Sequence, residues 1–209
     1  MTTNSQSPMP SQQTKYILCG GIAKATPTEA QAFAQEVTKG LENPSIIFCG
    51  FAKPEAEWEI REKEIESLFT QFTDISTPLI IASRSSFIKE IEKHPIIYLA
   101  GGNTPDLYAA LAHYSTDPLF WKKLFAGKVI AGTSAGVNVL TTLSYNLDHQ
   151  TFQKGLGILP IASLVHYLSP TYNAGLRWSE IEMLLREKTD LPLYCIKDGE
   201  FAVLHSDEK

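Results

Sequence analysis

Cysteine is scarce in this chain of 209 residues: Cys19, Cys49 and Cys195 are the only three, an odd number at spacings that fit no zinc or redox motif. A disulfide framework is therefore excluded, and a reducing, cytoplasmic compartment is the simplest setting. Surplus positive charge is lacking too. Eighteen Lys and Arg stand against 23 Asp and Glu, a net charge of -5. The basic residues are scattered among acids, as where Arg61 and Lys63 interleave with the glutamates of 59–66. Such scatter offers no concentrated basic face for nucleic-acid phosphates. Long apolar runs are missing as well, so no stretch is suited to span a membrane. Residues 1–14 are polar, rich in Ser, Gln and Pro, and lack the apolar centre of a secretory signal. The expectation is a disordered tail over 1–14 and one soluble domain over 15–209, monomeric or homodimeric, with no nucleic-acid or membrane partner.

What the chain does have is enough apolar material for a core: 44% of residues are hydrophobic and 20% charged, the balance of an ordinary globular domain. Short apolar runs at 16–19, 45–49, 78–82, 95–100 and 128–131 read as strands buried on both faces. Amphipathic stretches at 28–39, 55–72, 85–93 and 104–114 lie between them and read as helices, the first announced by Thr26-Pro27. Five such alternations predict an α/β fold: a doubly wound, mostly parallel sheet with helices on both faces, a single three-layer domain. Beyond 137 the pattern is less regular, with strands expected at 164–168, 192–196 and 201–205 and a helix at 178–188. In such a sheet, ligands gather at the carboxyl ends of the strands.

The residues placed there carry chemistry. Gly132-Thr133-Ser134-Ala135-Gly136 fits G-x-S-x-G between an apolar strand and a helix-compatible stretch over 135–143. That is the context of a nucleophile elbow, in which a sharp turn lifts the serine clear of the strand. The helix starting behind Ser134 turns free N–H groups toward a developing oxyanion. A second strand runs into Ala100-Gly101-Gly102-Asn103-Thr104. Adjacent glycines let backbone approach a ligand, so Gly102, with Gly101 as the neighbouring option, is assigned to an oxyanion hole beside the N–H of Ala135. Gly101 and Asn103 are also candidates for substrate contact.

A serine hydroxyl needs a base. Of the five histidines, His94 precedes Pro95 at a strand start, His113 falls in a helix, His149 in a polar loop and His205 near the terminus. His166 lies in an apolar, strand-like run where an imidazole needs a partner, and it is the candidate general base. The base in turn needs an acid to orient it. Asp148, Asp198 and Glu200 all qualify, and spacing does not separate them.

Taken together, A-G-G-N-T at 100–104, G-T-S-A-G at 132–136 and G-L-G-I-L-P at 155–160 followed by Val165-His166 resemble the S51 serine peptidases. That family includes aspartyl dipeptidase (peptidase E) and cyanophycinase, with a fold similar to class I glutamine amidotransferases. The resemblance covers about 15–209. It implies Ser134 as nucleophile and His166 as base, with no metal or cofactor. The family's third member, a glutamate just before a glycine, is matched here by Asp198 in Lys197-Asp198-Gly199, a shorter acid that must reach the same imidazole unless Glu200 substitutes. Ala100 stands where the family commonly has a third glycine. Resemblance to aspartyl dipeptidase implies a small peptide substrate with an N-terminal acidic residue, and Arg177 roughly matches the arginine that reads its carboxylate. Tyr172 and Asn173, nearby, are left without a role.

Three other readings compete. A small serine esterase would use the order Ser134, Asp148, His166. A non-catalytic scaffold would have kept the S51-like architecture and lost its chemistry. A glutamine amidotransferase would carry cysteine where Ser134 stands.

Overall fold

In the computed structural model the described residues are 13–42, 44–73, 79–172 and 177–206. The expected tail over 1–14 therefore lies outside them, save for its last two residues. Thr14 is not tail-like: it is 3% exposed, and its hydroxyl donates to the Phe125 carbonyl at 2.9 Å.

The first two-thirds of the chain alternates strand and helix: β1 (Lys15–Cys19), α1 (Pro27–Thr38), β2 (Ile46–Cys49), α2 (Trp58–Phe72), β3 (Leu79–Ile81), α3 (Phe87–Lys93), β4 (Ile96–Leu99), α4 (Thr104–Ala112), α5 (Pro118–Leu124) and β5 (Val129–Thr133). Thr26 starts α1 with a reciprocal capping box to Glu29 and Pro27 in the first turn. The strands form a six-stranded sheet in the order β10-β1-β5-β4-β2-β3, parallel except for the antiparallel edge strand β10 (Phe201–His205).

Alternation along each strand splits the core into two layers. Ile17, Phe48 and Tyr98 pack with Phe33 of α1 and Ile65 and Phe69 of α2. Leu18, Ile47 and Leu99 pack on the other face with Phe87 of α3, Leu107 of α4 and Trp121 of α5. Helices thus cover both faces, and each fully buried Phe, Leu or Ile contributes about 1.5–3 kcal/mol of transfer free energy. The strand expected at 78–82 is observed as β3; residue 78 lies outside the described residues.

The last third departs from a single sheet. After β5 come a short helix α6 (Ala135–Leu140), β6 (Thr141–Asn146), β7 (Thr151–Lys154), β8 (Leu159–Val165), α7 (Trp178–Lys188), β9 (Leu193–Ile196) and β10. Strands β6–β9 form a second sheet in the order β7-β6-β8-β9, mostly parallel, with Leu164 facing Trp178, Ile181 and Leu185 of α7. The helix expected over 135–143 stops at Leu140 because the chain passes directly into β6. Every residue of α6 is buried, and a segment buried on all sides carries no period that separates helix from strand. Asn138 of α6 ties the layers together: its amide donates to Thr104 Oγ1 at 3.3 Å and accepts from Ser163 Oγ at 3.2 Å.

Candidate active site

Ser134 follows β5 with φ 49° and ψ −107°, a conformation costly for a residue with a Cβ, on the order of 1–3 kcal/mol. Its surroundings hold it there. The Ser134 N–H donates to the Cys19 carbonyl of neighbouring β1 at 3.0 Å, and its carbonyl accepts from Val137 and Asn138. Both flanking glycines are sterically required: a Cβ on Gly132 would lie 2.8 Å from the Gly136 carbonyl carbon, and one on Gly136 would lie 2.2 Å from the Leu99 carbonyl oxygen. The helix packs so close behind the strand that only hydrogen fits.

The strand expected at 164–168 is observed as β8, ending at Val165, so His166 stands just past a strand end rather than within it. Its φ of 54° turns the chain out of the sheet. The imidazole Nε2 is 2.8 Å from Ser134 Oγ, and Nδ1 is 2.5 Å from Asp198 Oδ1. The second carboxylate oxygen of Asp198 accepts from Ser169 Oγ at 2.5 Å. Glu200 takes no part in this chain of bonds; it pairs with Lys197 at 3.0 Å on the surface. Asp148 faces Tyr172 instead: burial, and then the charge of Asp148 and a hydrogen bond to it, push that phenol above its ordinary pKa. The Tyr172 ring in turn lies against His166, centroids 5.1 Å apart.

Asp198 occupies the turn joining β9 of the second sheet to β10 of the first, and β1 holds that turn. The Gly20 N–H donates to the Glu200 carbonyl at 3.1 Å, and the Gly199 N–H to the Gly21 carbonyl at 2.8 Å. A Cβ at Gly20 would meet the Lys197 carbonyl oxygen at 2.3 Å.

Gly101 lies directly over the serine, since a Cβ there would sit 3.3 Å from Ser134 Cβ. Gly102 adopts φ 145°, and a Cβ on it would sit 2.3 Å from the Ala52 carbonyl oxygen. Among the described residues, none accepts a hydrogen bond from the N–H of Gly101, Gly102 or Ala135. Ala135 opens α6, where backbone N–H groups have no partner within the helix. Asn103 uses its side-chain oxygen to cap α4, accepting from Asp106 N at 2.9 Å.

A cavity of about 500 Å³ opens onto these groups. Ser134, His166 and Asp198 line it together with Gly21, Gly101, Gly102, Asn103, Asp148, His149 and Tyr172. Phe48, Ile65 and Tyr98 form an apolar part, and Lys24, Lys53 and Arg61 supply its cations. Arg177 stands apart from these groups: its side chain is 76% exposed, pairs with Glu180 at 2.6 Å and is not among the described residues that line the cavity. It stands at the outer end of α7, where its own-helix acid captures it. Asn173 lies outside the described residues. Among the described residues no group of three or more His, Cys, Asp or Glu side chains is arranged to hold a metal ion, and no helix is long and apolar enough to cross a membrane.

Several residues of the site and its support carry no assignment from the sequence. Gly21 was findable, because Gly20-Gly21 follows an apolar strand just as Gly101-Gly102 does. Ser169, Lys24, Lys53 and Arg61 carry no local signal; a serine three residues past a histidine and three dispersed cations look like ordinary surface until the chain folds.

The family model described as Peptidase family S51 matches residues 17–209. An uncharacterised peptidase of Pasteurella multocida (strain Pm70) is 28% identical over 124 residues, which make up 58% of this chain and 58% of that protein, so the chain spans little more than half of that relative's length. Two solved structures share the fold. A peptidase from an acI-B1 Actinobacterium has a TM-score of 0.61 at 19% identity, over 93% of this chain and 84% of that one. A putative peptidase E protein from Listeria monocytogenes EGD-e has a TM-score of 0.60 at 18% identity, over 94% of this chain and 100% of that one. With the family's model matched over residues 17–209, nearly the whole chain, this chain belongs to peptidase family S51.

Proposed function

We propose that this peptidase is a serine exopeptidase that cleaves dipeptides and similar short peptides bearing an N-terminal acidic residue. One observation carries the reading: an unbroken line of hydrogen bonds, Ser134 to His166 at 2.8 Å and His166 to Asp198 at 2.5 Å, opening onto a cavity of small-molecule size. In the reaction, His166 Nε2 takes the proton of Ser134 Oγ as that oxygen attacks the scissile carbonyl. Asp198 holds the imidazole in the tautomer with a proton on Nδ1 and stabilises the imidazolium. The N–H groups of Ala135 and Gly102 receive the oxyanion. His166 then protonates the departing amine, and water, activated by the same histidine, releases the acyl group from Ser134.

The preference for an acidic side chain draws support from the cations of the cavity rather than from Arg177. Arg61 is held by Glu64 at 2.8 Å and Lys53 loosely by Glu57 at 3.9 Å. Lys24 has no ion-pair partner among the described residues, so its ammonium is the cation free to meet a substrate carboxylate. A reducing, cytoplasmic setting belongs to the same proposal and accords with three free thiols. The test is hydrolysis of a panel of Asp-Xaa, Glu-Xaa and neutral dipeptides beside a nitrophenyl ester, with Ser134→Ala as control. Cleavage confined to acidic dipeptides and lost in the variant is the expected result. Silence over the dipeptides with turnover of the ester would replace the peptidase reading by an esterase.

A further inference from the structure

Asp198 receives two hydrogen bonds, one on each carboxylate oxygen, and only one of them comes from His166. The other comes from Ser169, whose Oγ lies 2.5 Å from Oδ2 and which is 3% exposed. A carboxylate carries no proton, so the serine hydroxyl is the donor. We propose that Ser169 is a positioning residue of the catalytic machinery, holding the short Asp198 side chain in the rotation that presents Oδ1 to His166. This inference rests on the serine-peptidase reading of the site.

The last torsion of an aspartate is broad, so a carboxylate tied at one oxygen alone swings readily. The turn that carries Asp198 is held at Gly199 and Glu200 by the Gly20–Gly21 segment just past β1, but that leaves the Asp198 carboxylate to be fixed from elsewhere. Ser169 does so from the same tight turn that carries the imidazole. The Ser169 N–H donates to the His166 carbonyl at 2.9 Å, and its carbonyl accepts from Tyr172 N at 3.1 Å. His166 and Leu168, neither of them glycine, both adopt left-handed φ values, 54° and 56°. The turn thereby delivers His166 to one oxygen of the acid and Ser169 to the other. Their separation of three residues is what lets one carboxylate bridge both, and the bridge locks the turn and the acid to each other.

A chain of this kind differs from a structural hydrogen bond in one measurable respect: Ser169 acts only through Asp198. The experiment is the rate at which a fluorophosphonate labels Ser134, together with kcat and KM on an acidic dipeptide, in Ser169→Ala, Ser169→Cys and Ser169→Thr. Each is also made in an Asp198→Ala background, with folding checked by near-ultraviolet circular dichroism. Loss of the donor in Ser169→Ala should slow labelling and kcat about 10-fold or more with KM unchanged, an effect between those of removing an orienting acid and a peripheral contact. Ser169→Cys, similar in shape but a weak donor, should behave like the alanine variant and carries the test if that one does not fold. Ser169→Thr, which keeps the hydroxyl, should recover most of the rate. With Asp198 already removed, Ser169→Ala should change labelling less than twofold. Equal losses in both backgrounds, or a Ser169→Ala protein as reactive as the parent, would overturn the proposal while leaving the serine reading intact. A parent protein that neither labels nor cleaves would overturn both.

Discussion

Gly21 faces Asp198 with no room for a side chain: a Cβ on Gly21 would lie 2.4 Å from Asp198 Oδ1 and 2.6 Å from His166 Cε1. The segment leaving β1 therefore serves as a wall against which acid and base are pressed together. Gly21→Ala should leave the fold intact, because the clash is with two side chains at a cavity edge. The same substitution should lower kcat 100-fold or more by displacing the acid from the imidazole, since small misplacements of catalytic groups cost about that much. Steady-state kinetics with a thermal melt as control decides; an unchanged kcat would mean that the hydrogen-bond line tolerates displacement.

The three candidate acids should separate cleanly. Asp198→Asn removes the carboxylate bonded to His166 and should lower kcat on the order of 10⁴-fold. Glu200→Gln breaks only a half-exposed pair with Lys197, and such pairs contribute little, so activity should stay within twofold. Asp148→Asn should also spare the chemical step, and a loss as deep as that of Asp198→Asn would favour the esterase order of residues.

Substrate choice should respond to Lys24 and not to Arg177. Lys24→Met should raise KM for an Asp-Xaa dipeptide roughly 10-fold or more while leaving a neutral ester unaffected, as expected for a charge-assisted contact of about 1.5–3 kcal/mol. Arg177→Ala should change neither by more than twofold, because that guanidinium faces solvent against Glu180. The opposite ranking of the two variants would return the acidic subsite to Arg177.

Strain at the elbow should be visible as stability. Ser134→Ala keeps a Cβ at φ 49°, whereas Ser134→Gly removes it. Both should be inactive, yet the glycine variant should be the more stable by about 1 kcal/mol, the net of relieved strain and greater unfolded-chain freedom. For a chain of this size that corresponds to roughly 2–4 °C in Tm. Identical melting temperatures would show the backbone at Ser134 to be unstrained.

Thiol reagents should not touch the activity. Burial pushes the Cys19 and Cys49 thiols up to about 12 and Cys195 up to about 11. At pH 8 the thiolate fraction at the first two is then on the order of one in ten thousand, and the thiolate is the reactive form. Iodoacetamide at pH 8 should leave hydrolysis unchanged while a fluorophosphonate abolishes it, and inactivation by the alkylating agent would bring a cysteine into the chemistry.

Much of this architecture was legible in the chain. Alternating runs marked β1 to β5 and the helices α1 to α4 between them, because strands buried on both faces are continuously apolar and the covering helices are not; α5 was not marked. Ser134, Gly101, Gly102, His166 and Asp198 all lie within a few residues of strand ends, where a parallel sheet gathers its chemistry. Legibility ended where pattern is absent. Leu140 to Leu143 carry no period, so the passage from α6 into β6, and with it the second sheet, was hidden. Arg177 was matched to the substrate by resemblance, and a match along the chain does not say where a long side chain points; in the fold it is exposed against Glu180.

The sequence by itself determined the elbow and the glycine turns, and it marked Ser134 and His166 as the proposed nucleophile and base, since each is a local demand: a tight turn needs residues without side chains, and a strand end exposes the residues next in the chain. Spacing left open which acid meets His166 and the resemblance pointed to Asp198; only the tertiary structure brings that carboxylate to the imidazole. Asp148, Asp198 and Glu200 are alike in charge. The difference between them is that the turn between β9 and β10 is bound to Gly20 and Gly21, bringing one carboxylate within 2.5 Å of the imidazole and of Ser169 alike. Contacts across 29 and 32 residues of chain arise from how two sheets are joined, and no spacing along one dimension encodes that junction.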